Sequence, residues 1–253
     1  MYLKGHDLMG FKYKRILLKL SGEAMALKRK NVATGETEIT GPYDTEFLKS
    51  IAKTVKELTD GGVQVGIVTG GGNVFRGAQA KEFSRARADD MGMLVTVMNA
   101  LAVENIFNQN GVKSIAMTAV EMNKVAELFT KRRAESYFEE GYTVIFGGGT
   151  GNPYFSTDTA AVLRGCEINA DAVFLAKNID AVYSADPKKD PAAVKYDTIP
   201  CKTMIEKGLK VIDISASTIA AGAKMPMELF ALTAENILRA AKGERVGTTI
   251  TVE

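Results

Sequence analysis

Three places in this chain set glycine turns beside cations or carboxylates, a combination suited to holding and moving a phosphoryl group. In RILLKLSGE (residues 15–23), Lys19 stands one residue from the end of an apolar run and Ser21-Gly22 follow. A lysine there can reach a phosphate, with backbone N–H donors beneath it. In GIVTGGGNVFRG (66–77), Gly70, Gly71 and Gly72 end a second apolar run and Arg76 follows, a side chain suited to bidentate phosphate contact. In YTVIFGGGTGNPYFSTD (142–158), the run from Tyr142 to Phe146 stops in Gly147, Gly148 and Gly149. Ser156-Thr157-Asp158 then opens a helix whose first N–H groups point at an anion.

One glycine turn is as readily a plain tight turn as a binding site. Three at the ends of apolar runs converge on the ligand crevice of an open α/β sheet. No glycine is followed by lysine and no G-x-G-x-x-G occurs, so neither the P-loop nor the dinucleotide fingerprint is present. Asp158 and Asp213, the latter in KVIDIS, are the carboxylates that complete a Lys19–Asp–Asp set; each also fits a helix N-cap. In AKNIDAVYSADP (176–187), Asp180, Tyr183 and Asp186 form a turn with an aromatic ledge, on which an adenine can lie while Asp186 accepts from ribose hydroxyls. The same residues also make an ordinary exposed turn. Asp89 and Asp90 complement a helix dipole, and Lys131-Arg132-Arg133 reads as a solvated face.

The elements that must position these residues follow from apolar patterning. Strands are expected over Arg15–Leu20, Val63–Val68, Lys113–Met117, Thr143–Phe146, Ala172–Ala176, Met227–Leu232 and Thr248–Val252. Helices are expected over Asp44–Thr59, Asp89–Gln109, Thr130–Glu140, Thr157–Asn169 and Ala234–Lys242. That alternation specifies an α/β fold, an open and mostly parallel sheet between helices. The helix from Asp89 is apolar almost all round and belongs in the core or in a subunit interface. Residues 28–41 read as a polar excursion or hairpin, and 186–200, with three of the six prolines, as a surface loop.

At 253 residues, one domain over 1–253 is expected, with 1–12 as a flexible extension. The balance of 32 basic and 30 acidic residues gives no nucleic-acid footprint. A single histidine, His6, disfavours histidine catalysis and zinc sites. Two widely spaced cysteines, no secretory leader and no bilayer-spanning run lead us to expect a cytoplasmic protein with free thiols and no membrane partner.

KLSGE (19–23), GGGNVFRG (70–77), DDMGMLVTVMNALA (89–102), GTGNPYFSTDTAA (149–161) and VYSADP (182–187), in unbroken order, resemble the bacterial UMP kinases of the amino acid kinase family. The resemblance runs from about Tyr13 to the end of the chain. It implies the amino acid kinase fold, transfer of the ATP γ-phosphoryl group to UMP with Mg²⁺ carried on ATP, and a homohexamer with GTP and UTP as effectors. Carried over by motif, Lys19, Leu20, Ser21, Gly22, Gly72 and Arg76 would hold ATP phosphates. Tyr183 and Asp186 would meet its adenosine, with Lys177 or Asn178 at the adenine edge. Gly71 and Asp89 would bind UMP, Asp89 at the ribose. Thr150, Gly151, Asn152, Pro153, Tyr154, Phe155, Ser156 and Thr157 would wrap it. Lys19, Arg76, Asp158 and Asp213 would be catalytic, the two carboxylates organising Lys19 and the metal.

The chain departs from that pattern at Asp90, where histidine is common, at Ala181, in place of a frequent glycine, and over 28–41. A kinase making acyl or carbamoyl phosphates, or a non-catalytic binding relative, would share the fold. GTGNP and Asp89 argue against the former, because an amino acid offers no ribose. Lys19, Asp158 and Asp213 argue against the latter.

Overall fold

Every second residue of Arg15–Leu20 faces the same side of a sheet, and both sides are apolar up to Lys19. Such a strand must be covered on both faces. In the computed structural model it is. The structure describes residues 10–31, 35–75, 82–187, 189–209 and 211–252. His6 and Arg76 lie outside these residues.

The first half of the chain contains β1 (Arg15–Leu20), α1 (Gly22–Met25), β2 (Leu27–Lys30), β3 (Thr37–Gly41), α2 (Thr45–Asp60), β4 (Gln64–Thr69) and α3 (Arg85–Gln109). Next come β5 (Ser114–Thr118), β6 (Glu127–Leu128), α4 (Lys131–Glu139), β7 (Thr143–Gly147), α5 (Thr157–Glu167) and β8 (Ala172–Lys177). The short pair β9 (Val182–Tyr183) and β10 (Lys195–Tyr196) leads to β11 (Thr198–Pro200), α6 (Cys201–Glu206) and α7 (Ile214–Ala223). The chain closes with β12 (Met227–Ala231), α8 (Ala234–Ala241) and β13 (Thr248–Thr251).

Nine strands form one sheet in the order β11-β13-β12-β8-β1-β4-β7-β5-β6. Its pairings are parallel except that of β12 with β13. The chain builds outward from β1 on one side and then returns to add β8 on the other. β1 therefore stands at the switch point, where open α/β sheets leave a crevice at the carboxyl ends of their strands.

Ile16, Leu18 and Leu20 pack with Val65, Ile67 and Phe174 beneath α2, α3 and α8. Leu17 packs with Val68, Phe146, Val173 and Leu175 beneath α5 and α7. By strand alternation, Lys19 lies on the α5 side, and so does Lys177 on the neighbouring β8, in a register that pairs Lys19 with Leu175.

The expected strands and helices are present with boundaries moved by a few residues, and from the span 28–41 the described ends pair as the antiparallel strands β2 and β3. Three differences have physical causes. The helix expected from Asp89 begins one turn earlier, at Arg85, so Asp89 and Asp90 sit inside it. Its 25 residues are long and apolar enough by composition to cross a membrane, yet it packs on β4, β5, β7 and α2. α7, with the sequence ISASTIAAGA, carries no apolar stripe and is marked in the sequence only by Asp213 as a possible cap; the structure places Asp213 at its N-cap position. The segment 186–200 is not all loop: β10 pairs with β9, and β11 extends the main sheet beside β13, with Pro200 at the strand's last position on the edge. Of the expected flexible extension, 1–9 lie outside the described residues, whereas Phe11 is buried in the core.

Candidate active site

The site begins with a charge problem. Lys19 and Asp158 are both nearly buried, a costly state unless each is paired. Asp158 is in the first turn of α5, whose N-cap is Ser156, accepting from Thr159 N. Its carboxylate is thus spared from capping and faces the sheet. Asp158 Oδ1 lies 3.4 Å from Lys19 Nζ. Asp158 Oδ2 accepts from Lys177 Nζ, which also donates to the Val211 carbonyl at 2.5 Å. Two ammonium groups on adjacent strands therefore share one carboxylate, a buried trio of net charge +1, with half-buried Glu23 at its edge.

The proton affinities follow from this arrangement. Burial pushes the Lys19 pKa down; Asp158 opposes that, and the like charge of Lys177 adds to it. Burial alone would raise the Asp158 pKa, but the two lysines outweigh it and hold the carboxyl below its ordinary range. At neutral pH, Asp158 is an anion and cannot donate a proton.

Two glycine turns flank the trio. At the first, a Cβ on Gly22 would lie 2.4 Å from Gly72 N and 2.7 Å from the Gly70 carbonyl oxygen, so the Ser21-Gly22 turn is pressed onto 70–72 backbone to backbone. Behind it, fully buried Asn99 donates to the Gly70 carbonyl (2.6 Å) and to Asn73 Oδ1 (2.7 Å). Asn99 Oδ1 accepts from Tyr43 (2.9 Å) and from Asn73 Nδ2 (3.0 Å). At the second turn, Gly148, Gly149 and Gly151 have φ of +78°, +56° and +81°. Thr96 Oγ1 accepts from Gly148 N at 2.8 Å. Arg164, buried in α5 and paired with Glu167, donates to the Gly149 carbonyl at 3.4 Å and stacks its guanidinium over Phe129. Asp89 Oδ2 accepts from Tyr154 N at 2.8 Å and from Arg85 Nε at 2.7 Å, holding Tyr154 at a left-handed φ of +72°. Tyr154 and Phe155 are exposed, and Thr150 hydrogen-bonds with Asn152.

The remaining sequence candidates fall around this centre. Lys177, expected at an adenine edge, turns into the buried trio, while Asn178 donates to Glu23 Oε2 at 3.4 Å. Tyr183 lies on the β9–β10 hairpin and donates to Asp180 at 3.0 Å. Asp186 precedes the turn that follows, where its carbonyl accepts from Lys189 and Asp190. Asp213 is the exposed N-cap residue of α7, without a side-chain cap bond, so the carboxylate meeting both lysines is Asp158 alone. Asp213 lines a cleft of about 470 Å³ with Arg85, Tyr154, Ser156, Thr159 and Ser217, between the second turn and α7. Sequence reasoning missed Thr96, Asn99 and Arg164. The signal for the first two was two polar residues three apart in an otherwise apolar helix.

Buried lysines and two glycine turns at the switch point of a parallel sheet define an α/β phosphate-binding protein of the phosphoryl-transfer class. A model of the amino acid kinase family matches residues 14–231, and the chain belongs to that family. Among solved structures it is similar to UMP kinase from Bacillus anthracis, at 34% identity over 95% of this chain and 97% of that one, with a TM-score of 0.84. UMP kinase from Ureaplasma parvum is similar at 29% identity over 95% and 99%, with a TM-score of 0.85. Uridylate kinase from Archaeoglobus fulgidus is similar at 30% identity over 93% and 99%, with a TM-score of 0.69.

Proposed function

We infer that the chain is a UMP kinase: it transfers the γ-phosphoryl group of ATP to UMP, giving ADP and UDP, as a step of pyrimidine nucleotide synthesis. The observation that carries this reading is the 34% identity, sustained over nearly the full length of both chains, to a UMP kinase with the same fold. The site's chemistry agrees. Transfer in line from one phosphate to another needs positioning and charge neutralisation more than a proton-transfer group. Lys19 supplies positive charge to the moving phosphoryl group, and Asp158 fixes the ammonium. The turn at 21–22 and Gly72 offer N–H groups to ATP, and 150–157 with Gly71 and Asp89 take UMP. Tyr183 and Asp186 take the adenosine.

In this reading the Mg²⁺ ion is carried on the ATP phosphates rather than in a protein cage. Asp213 is the exposed carboxylate that would meet its hydration shell, and the ion would neutralise phosphate charge.

The same reading includes a cytoplasmic homohexamer with GTP and UTP as effectors. Leu94 and Met98, exposed on α3, offer the apolar surface for subunit contact. Light scattering of the purified protein should give the mass of six chains; a monomer would remove that part. For the activity, ADP release is measured with UMP, CMP, glutamate and carbamate as acceptors, with and without GTP and UTP. Turnover with UMP is expected, and turnover with glutamate or carbamate but none with UMP would overturn the assignment.

A further inference from the structure

α3 touches both glycine turns along one side. A Cβ on Gly71 would come within 3.1 Å of the Gly92 carbonyl oxygen, and one on Gly147 within 2.8 Å of the Val97 Cα. These glycines are where α3 backbone runs against the turns. Over residues 91–103 the helix is otherwise apolar, yet it buries Thr96 and Asn99, one on each turn. Thr96 Oγ1 accepts from Gly148 N and donates to the Met93 carbonyl at 2.7 Å, while the Thr96 carbonyl accepts from Thr69 Oγ1 at 2.9 Å. Asn99 uses both amide hydrogens and both acceptor sites, tying the Gly70 carbonyl, Asn73 and Tyr43 to the helix. Asn73 Nδ2 extends the tie to the Pro42 carbonyl at 2.9 Å.

We propose that Thr96 and Asn99 are positioning residues for phosphoryl transfer, and that α3 through them sets the separation of the turn at 70–72 from the turn at 147–149. Neither residue reaches substrate. Each fixes one turn to a common rigid helix, so the donor and acceptor phosphates meet at a distance fixed by one turn of α3. The kinetic part rests on the UMP kinase reading; the structural part does not.

Two readouts separate them. Amide hydrogen exchange by mass spectrometry is followed in the full-length parent and in Thr96→Val, Thr96→Ser, Asn99→Leu and Tyr43→Phe. Thr96→Val should speed exchange at 147–149 by about tenfold or more and leave 70–72 at the parent rate, because it removes an acceptor for one amide. Asn99→Leu should do the reverse. Thr96→Ser, which keeps the hydroxyl, should match the parent. In turnover of UMP, Thr96→Val and Asn99→Leu should lose about 10–100-fold in kcat with smaller changes in KM, as misplacement rather than lost binding would give. Faster exchange spread evenly over the sheet, unchanged exchange at both turns, or parental kcat would overturn the proposal. Should Asn99→Leu not fold, Tyr43→Phe removes one bond to Asn99, and parental exchange at 70–72 in that variant overturns it too. A parent that phosphorylates no UMP but shows the split exchange pattern keeps the positioning role and removes the kinase reading.

Discussion

The turns Gly70–Gly72 and Gly147–Gly149 are spelled alike, and glycine serves them differently. The second needs its conformation: Gly148 and Gly149 have positive φ, where an L side chain meets its own backbone. The first has no such φ. Its constraint is external, with residues 22–23 on one side and α3 on the other leaving only 3.0–3.1 Å around a Cβ. The first turn is limited by packing between segments far apart in sequence; the second adds to the packing of Gly147 against α3 a local backbone demand at Gly148 and Gly149. Charge collects where they meet, since Lys19 precedes the first assembly and Asp158 follows the second turn.

The comparison can be broken most severely at that meeting point. Lys19→Ala should lower kcat by about 10²–10³, the scale of losing one preorganised charge on the transferring group; parental kcat would strip Lys19 of its role. Next is Gly22→Ala, which drives a methyl into backbone atoms of 70–72. A stability loss of about 1–3 kcal/mol is expected by denaturant titration, with turnover falling about 100-fold. A variant as stable as the parent would show that the two turns do not press on each other.

The pH profile sharpens the contrast further. With its pKa lowered, Lys19 loses its charge as pH rises before the ordinary lysine value of 10.5, so kcat/KM should fall on the alkaline side below that point. Lys177→Met removes the like charge and should move that limb to higher pH; a limb that stays put would deny the coupling. Asp158 behaves oppositely. Its pKa is depressed, so its stabilising contribution is present above the ordinary carboxyl value of 3.8 and is lost as pH falls through the folded value. The smallest effect belongs to Gly149→Ala. A Cβ there would find its nearest neighbour, Met93 Cγ, at 3.8 Å, so only backbone strain of about 1 kcal/mol is expected. A larger loss would mean that Gly149, like Gly147, is limited by packing.

What the sequence alone could deliver divides along the same line. Apolar runs such as those of β1, β4 and β7 carry their own period, and the glycine turns at their ends were visible without a structure. α7 was marked only by Asp213 as a possible cap, because alanine and serine give no stripe to count. Within the site, Lys19 and Asp158 were readable as a pair because each ends or begins an element with an evident signal. The placement of Lys177 was not, since only the parallel register of β1 and β8 shows that it shares a face with Lys19. Asp213 and Asp158 stood in similar sequence settings, yet one is exposed at a helix head and the other buried beneath one.

Asp89 receives both Tyr154 N and Arg85 Nε on the same oxygen, Oδ2. Among the described residues its other oxygen has no hydrogen-bond partner, so a hydroxyl could engage it while the loop remains latched. A sugar engaging Oδ1 would therefore not have to compete with the loop for the carboxylate. The entropy of fixing Tyr154 would then be spent during folding rather than at each encounter with a ligand.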